Sequence, residues 1–215
     1  MKEDKKTKDS LIEEELKQSY EKLQKFIEGT AHIITKIVEI RDPYSKGHQQ
    51  RVSQLATAIA REMKLPQDKI EGVRFASLVH DVGKINLSTE IVSKPSKLVE
   101  VEFNLIKNHP KIGYDILKKV DFPWPIAEIV FQHQEKIDGS GYPRGLKGDE
   151  ILIEAKILGV ANVVEATSSY KSYRPALSID ESLAEISKNK NILFDPEVVD
   201  TCLKLFKEKG FRFKS

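Results

Sequence analysis

From Leu16 to Ile37 apolar and small residues return in alternating steps of four and three: Leu16, Tyr20, Leu23, Ile27, Thr30, Ile34 and Ile37. This is a heptad seam of about three repeats. It predicts an N-terminal helix over residues 11–37 whose first half pairs with a second copy as a parallel coiled coil. In the second half Ile33 and Val38 add apolar surface off the seam, which suits packing on the chain's own domain. Residues 1–10, rich in Lys and Asp with no apolar core, read as a disordered charged tail.

The remainder, 38–215, reads as a succession of helices. Val52, Leu55, Ala56, Ile59, Ala60 and Met63 recur at helical spacing, and Pro66 stops that element. Ile70, Val73, Ser77 and His80 share the next helical face. Helices follow over 102–108, 111–120 and 125–133, each bounded by proline or loop residues. A loop between Asp138 and Gly148 holds four glycines and a proline, then a helix spans about 151–166. Two more close the chain after Ser178 and Pro196, with Asp195 as N-cap and Pro196 in the first turn. No strand alternation and no internal repeat is visible, so the fold class is all-α.

Composition narrows the function classes. A charged fraction of 32% and a hydrophobic fraction of 40% are those of an ordinary globular domain. The net charge of +2 is too small for DNA binding by bulk electrostatics. No run of 18 apolar residues spans a membrane, and the charged N-terminus is not a signal peptide, which points to the cytoplasm. Cys202, the single cysteine, lies on an apolar helical stretch and reads as a small buried residue.

The chemistry gathers at histidines. His32 reads as an ordinary helix residue, whereas His48, His80, His109 and His133 have polar company. His80 stands next to Asp81 in the string LVHDVGK, at the end of an apolar helix. Such a pair presents imidazole and carboxylate to one region, and a carboxylate can bridge two metal ions. Gly83 would let the chain turn there, and Lys84, within one turn, would hold or protonate a phosphate oxygen.

These motifs resemble the HD-GYP group of the HD phosphohydrolase superfamily from Arg41 to about Glu197, carried by RDPYSKGHQQRV, LVHDVGKI, KPSKLVEVEFNLIKNHPKIGYDIL, IVFQHQEKIDGSGYPRGLKGDEI and KSYRPALS. The resemblance implies an HD-domain helical bundle at 38–215 and an enzyme of bacterial signalling that opens cyclic di-GMP to the linear dinucleotide and on to GMP. It implies two bridged divalent metals, iron, manganese or similar, held by His48, His80, Asp81, His109 and His133. Asp81 and Lys84 would be catalytic, with Lys171 and Arg174 on the substrate's phosphates. The loop with Asp138, Gly139, Gly141, Tyr142 and Pro143 would lie near the site and contact protein partners, diguanylate cyclase domains among them.

The chain departs from this pattern at two ligand positions. Where the family has His-His-Glu the chain has His133-Gln134-Glu135, and where it has Val-Ala-Asp the chain has Val160-Ala161-Asn162. An amide oxygen carries no charge and binds a transition metal more weakly than carboxylate or imidazole. Glu165, three residues after Asn162 on one helical face, is the position from which a longer carboxylate would reach a metal directly or through water. Where the family has Thr-Ser-Asp-Arg-Pro the chain reads Ser168-Ser169-Tyr170-Lys171-Ser172. Two function classes follow: a metal-dependent phosphodiesterase, or a degenerate module holding one ion or none that binds cyclic di-GMP or a protein without hydrolysis.

Overall fold

The computed structural model describes residues 2–42, 45–94, 96–97, 99–170 and 176–214. A first helix, α1, spans Lys2–Arg41, followed by α2 (His48–Glu62) and α3 (Gln67–Val79). A 3-10 turn at Val82–Asn86 leads to α4 (Thr89–Val92), α5 (Glu100–Ile106), α6 (His109–Leu117) and α7 (Ile126–Gln132). The chain closes with α8 (Ile153–Ser168), α9 (Ile179–Lys188) and α10 (Pro196–Lys207). The all-α expectation holds among the described residues: only isolated bridges occur, joining Asp138 to Lys147 and Lys190 to Phe194.

The helices form where the apolar period lies. Val52, Leu55, Ala56, Ile59 and Ala60 of α2 are wholly buried, and with Ile126, Ile129, Ile157 and Leu158 they make the centre of the core. Burying each of the larger aliphatic side chains contributes about 1.5–3 kcal/mol. α2 ends at Glu62, and Lys64, whose φ of 57° cannot continue a right-handed helix, turns the chain away two residues before Pro66. Asp195 caps α10 as expected, its Oδ1 accepting from the amides of Glu197 and Val198 at 3.0 and 3.3 Å. Cys202 is buried as a free thiol.

α1 differs from expectation in extent and in phase. The helix begins at Lys2, so it takes in residues that read as a charged tail, and it runs unbroken to Arg41 past the domain boundary expected at 38. The face packed on the domain carries Ile27, Ala31, Ile34 and Val38, fixed by Thr35 Oγ1 donating to the Leu78 carbonyl at 2.9 Å. Two residues of the expected seam, Ile27 and Ile34, are therefore used against the chain's own core, and the Tyr20 side chain lies outside the described residues. Leu16, Leu23 and Ile37 remain exposed, joined by Ile12, Phe26, Ile33 and Ile40. No described helix is long and apolar enough to cross a membrane.

Candidate metal centre

Four helix ends deliver the predicted donors to one buried point. His48 opens α2, His80 closes α3, His109 opens α6 ahead of Pro110, and His133 closes α7. Asp81 follows His80 directly. Each of these five residues is at most 3% exposed.

Gly83 accounts for how two of these ends meet. A Cβ there would lie 2.0 Å from the His109 carbonyl oxygen and 2.7 Å from the Gly113 amide nitrogen. The glycine expected to permit a turn instead permits the start of α6 to lie against the His80-Asp81 segment. Gly83 is not among the positive-φ residues.

Three of the rings are oriented in the same way. The Nδ1–H groups of His80, His109 and His133 donate to carbonyls three residues earlier, those of Ser77, Ile106 and Val130, at 2.8, 2.8 and 2.6 Å. With Nδ1 so engaged, Nε2 of each ring carries the free lone pair. His48 is held from behind by Glu165, whose Oε2 takes the His48 Nδ1 contact. The other oxygen of Glu165 accepts from Arg51 Nε and Ser169 Oγ at 2.6 and 2.7 Å.

Asp81 lies between the rings. Its Oδ2 is 3.8 Å from His48 Nε2 and 3.6 Å from His80 Nε2, while its Oδ1 is 3.6 Å from His109 Nε2. His109 and His133 bring their Nε2 atoms to 3.2 Å. Two sets of three donors result, His48-His80-Asp81 and Asp81-His109-His133, sharing the carboxylate.

The electrostatics suit cation binding. Burial, followed by the Coulomb effect of His133, lowers His109 to about 3. Burial lowers His133 and His80 to about 3 and about 4, so all three rings are neutral ligands near pH 7. Burial by itself would raise Asp81, but the Lys84 ammonium and the surrounding rings outweigh it and hold the carboxyl well below its usual range. Lys84 Nζ donates to Asp81 Oδ2 at 2.7 Å. His80 Nε2 is buried with no hydrogen-bond partner. An orphaned imidazole lone pair beside an ionised carboxylate is costly unless a cation satisfies it. The donor set thus fits divalent ions that accept nitrogen and carboxylate ligands.

The glycine-rich loop covers one side of this centre. Glu135, mentioned by the sequence motif only as a neighbour of His133, anchors it by accepting from the Arg144 and Leu146 amides at 2.7 and 3.1 Å. A Cβ on Gly141 would lie 2.3 Å from the Lys136 nitrogen, so only glycine lets the loop lie flat there. Asp138 accepts from the Ser140 amide and hydroxyl, and Gly139 takes a φ of 86°. Tyr142, joined to Pro143 by a cis peptide, brings its ring centroid to 6.5 Å from that of His109. Burial pushes the Tyr142 hydroxyl up to about 12.

Gln134 and Asn162 are both half-buried, and the two donor sets form without either. Glu165 is placed behind His48 with both oxygens engaged, rather than in the donor sets where it was expected to substitute for Asn162. Lys171 and Arg174 lie outside the described residues. Sequence reading missed Arg51 and Ser169; Arg51 sits one turn after His48, but the carboxylate it meets is 114 positions away.

The model of the family described as HD domain matches residues 32–198. A cyclic di-GMP phosphodiesterase response regulator of Xanthomonas campestris pv. campestris is 34% identical over 195 residues, covering 90% of this chain and 52% of that protein. A 3'3'-cGAMP-specific phosphodiesterase of Vibrio cholerae is 36% identical, covering 80% of this chain and 37% of that protein. A cyclic di-GMP phosphodiesterase of Thermotoga maritima is 36% identical, covering 92% and 54%. The chain therefore spans about half the length, or less, of these curated relatives. Among solved structures, Bd1817 of Bdellovibrio bacteriovorus, titled an HDG"Y"P protein, aligns with a TM-score of 0.62 at 20% identity, over 74% of this chain and 51% of that one. The HD domain of the Listeria monocytogenes phosphodiesterase PgpH, in complex with cyclic-di-AMP, aligns at 0.57 and 21% identity, over 86% and 100%; both likenesses concern the fold. With the family model spanning most of the chain and the HD-GYP motifs lying around the donor cluster, the chain belongs to the HD domain family and to its HD-GYP group.

Proposed function

We propose that this chain is a metal-dependent phosphodiesterase of a cyclic dinucleotide, cyclic di-GMP in the first place, acting in the cytoplasm. The observation that carries the proposal is the buried carboxylate of Asp81 between two histidine pairs, with His80 Nε2 unpartnered. Three protein donors on each side match the number that catalytic zinc sites use while leaving a position open. The loss of charge at Gln134 and Asn162 therefore does not remove either set of three.

Bound divalent ions would acidify water and neutralise charge on a phosphate held beside them. The residues of the chain supply the rest. His48, His80, His109 and His133 would hold the ions, the last three kept neutral by burial and His48 oriented by Glu165 behind its ring, with Asp81 placed between the two sets. Lys84 stays charged because Asp81 outweighs the effect of burial, and its ammonium stabilises phosphate oxygens or protonates the departing sugar oxygen. Burial keeps Tyr142 protonated, so its hydroxyl would be a hydrogen-bond donor to substrate on the loop side. In the overall step water oxygen bonds to phosphorus, one P–O ester bond breaks, and the leaving sugar oxygen takes a proton. Lys171 and Arg174 are assigned to the second phosphate on the family motif. The exposed loop tip at Asp138 and Ser140 offers a contact for a protein such as a diguanylate cyclase domain.

The test is incubation of the manganese- or iron-reconstituted chain with cyclic di-GMP and chromatography of the products. Linear dinucleotide or GMP is expected, lost in Asp81→Asn. The uncharged Gln134 and Asn162 favour a second reading, a module that binds the dinucleotide without hydrolysis; it requires that Gln134→His with Asn162→Asp create activity absent from the natural chain.

A parallel homodimer through α1 belongs to the same proposal, with its seam at 12, 16, 19, 23, 26, 30, 33, 37 and 40. All nine positions are exposed and follow one another in steps of four and three. They span about 42 Å at 1.5 Å per residue. Sedimentation should give twice the chain mass, with Leu23→Glu plus Ile37→Glu giving monomer; a monomeric natural chain refutes it.

A further inference from the structure

The C-terminal segment after α10 folds back onto α2 and lines with it an open pocket of about 500 Å³. Gln54 fastens that segment, accepting from the Lys214 amide at 2.9 Å and donating to its carbonyl at 3.4 Å. The α2 residues lining the pocket include Gln50, Gln54, Thr57 and Arg61, spaced four, three and four. At 100° per residue this stripe is centred about 150° from His48 and about 90° from Arg51, and none of the five metal donors lines the pocket, so the pocket is separate from the metal centre.

Three features identify what the pocket would accept. The first is charge. Arg61, Arg212 and Lys214 line it, and none has an acidic partner among the described residues; the guanidinium of Arg212 reaches only the carbonyl of Phe211. Arg74, also in the lining, is already neutralised by Glu71 and Glu28 at 2.8 and 3.0 Å. The surplus is thus three cations around one cavity, which favours an anion carrying more than one charge. The second is unmet polarity. Thr57 is 8% exposed and its hydroxyl has no partner, and Gln50 Oε1 is likewise buried and unpartnered. Both atoms lie covered just beneath the wall, and a donor and an acceptor left unsatisfied there gain partners when a side-chain rotation presents them to a polar ligand. The third is an apolar wall of Leu78, Ala58 and Phe211, the phenyl ring braced edge-to-face against Phe206 and Phe213 at 5.1 and 5.6 Å. An aromatic face beside cationic groups is the chemistry that holds a base and its phosphate.

We propose that this pocket binds a nucleoside phosphate, with the phosphate on Arg61, Arg212 and Lys214, the base against Phe211, and polar base or sugar groups on Gln50 and Thr57. The volume lies within the range of small-molecule sites and suits one nucleotide. Two connections link the pocket to the metal centre: α2 carries His48 at its first residue, and Leu78 stands two residues before His80. Occupancy would therefore reach the site through two elements that deliver its ligands.

The test is isothermal titration calorimetry on the full chain in a strong chelator, which keeps metal-dependent binding and hydrolysis out of the readout. The probes are GMP, AMP and UMP, with ribose 5-phosphate and inorganic phosphate as partial ligands. At least one nucleotide should bind at one site per chain, tighter than inorganic phosphate. Arg61→Glu with Arg212→Glu should weaken it tenfold or more, Thr57→Val should weaken it severalfold, and Asp81→Asn should leave it unchanged. Hydrogen exchange should slow over 50–61 and 211–214 on binding. No heat with any nucleotide, binding no tighter than that of phosphate alone, affinity insensitive to both the arginine pair and Thr57→Val, or affinity lost in Asp81→Asn would each overturn the proposal.

Discussion

Replacing Gly83 by alanine adds a single carbon and tests how the centre is assembled. The new Cβ would sit 2.0 Å from the His109 carbonyl oxygen, 2.7 Å from the Gly113 nitrogen and 2.9 Å from the His109 carbonyl carbon. All three are backbone atoms, so no side chain can rotate away. To reach ordinary contact of 3.4 Å the start of α6 must retreat from the His80-Asp81 segment by more than 1 Å. Overpacking of this kind costs about 1–3 kcal/mol and occasionally more. For a chain of this size about 1 kcal/mol moves the melting midpoint by roughly 2–4 °C, so a loss on the order of 5–10 °C is expected. The same movement carries His109 away from Asp81 and His133, its partners in one donor set. The second ion should therefore bind at least tenfold more weakly, in line with the 10–100-fold sensitivity of metal sites to lost orientation. Scanning calorimetry and manganese titration on the same preparation measure both effects. A melting midpoint and a second-ion affinity equal to those of the natural chain would refute the reasoning.

Three further outcomes follow from the same contacts. Glu165→Gln keeps the shape but removes the charge behind His48 and beside Arg51, so metal affinity at the His48 set should fall about 10–100-fold with a small change in melting temperature; unchanged affinity in the titration contradicts the role. In metal-free protein the histidine shifts make stability depend on pH. Unfolded histidines take up protons below about 6.5, whereas the folded His80 does so only near 4 and His109 and His133 near 3. The unfolded state thus binds more protons in this window, and the contribution, whole above about 6.5, is lost as pH falls from there towards 3. Urea midpoints should decline over that range and be partly restored at its upper end by manganese. Gly29→Ala has the opposite sign from Gly83→Ala: a Cβ there meets nothing within 4 Å in the middle of α1, so helicity at that point should gain about 1 kcal/mol, read as slower amide exchange over the flanking turns.

Much of this was legible in the chain because it is local. The burial of Val52, Leu55, Ala56, Ile59 and Ala60 follows from their spacing, and the Asp195-Pro196 start of α10 from its capping chemistry. The five donors were legible as motifs, each a few residues long. What was not legible depends on pairs far apart. Glu165 reads as a carboxylate near Asn162, but its assignment to His48 rests on a contact across 117 positions. Gly83 reads as a turn glycine because the carbonyl that excludes a side chain belongs to α6, not to its own segment. The seam on α1 was traced through Ile27 and Ile34, since period alone does not tell which of two adjacent apolar stripes the domain will cover. The helical continuation through 2–10 escaped a reading based on charge and the lack of an apolar face, although Lys, Glu and Asp there contain no helix-breaking residue.

The central claim is that the two donor sets around Asp81 hold metal and hydrolyse a cyclic dinucleotide despite Gln134 and Asn162. Elemental analysis of the chain reconstituted with manganese or iron under anaerobic conditions, paired with product chromatography from cyclic di-GMP on the same sample, tests it most directly. The account predicts about two ions per chain and linear product, with both reduced sharply in Asp81→Asn. Fewer than one ion per chain, or a fully loaded chain that yields no linear product, would contradict it.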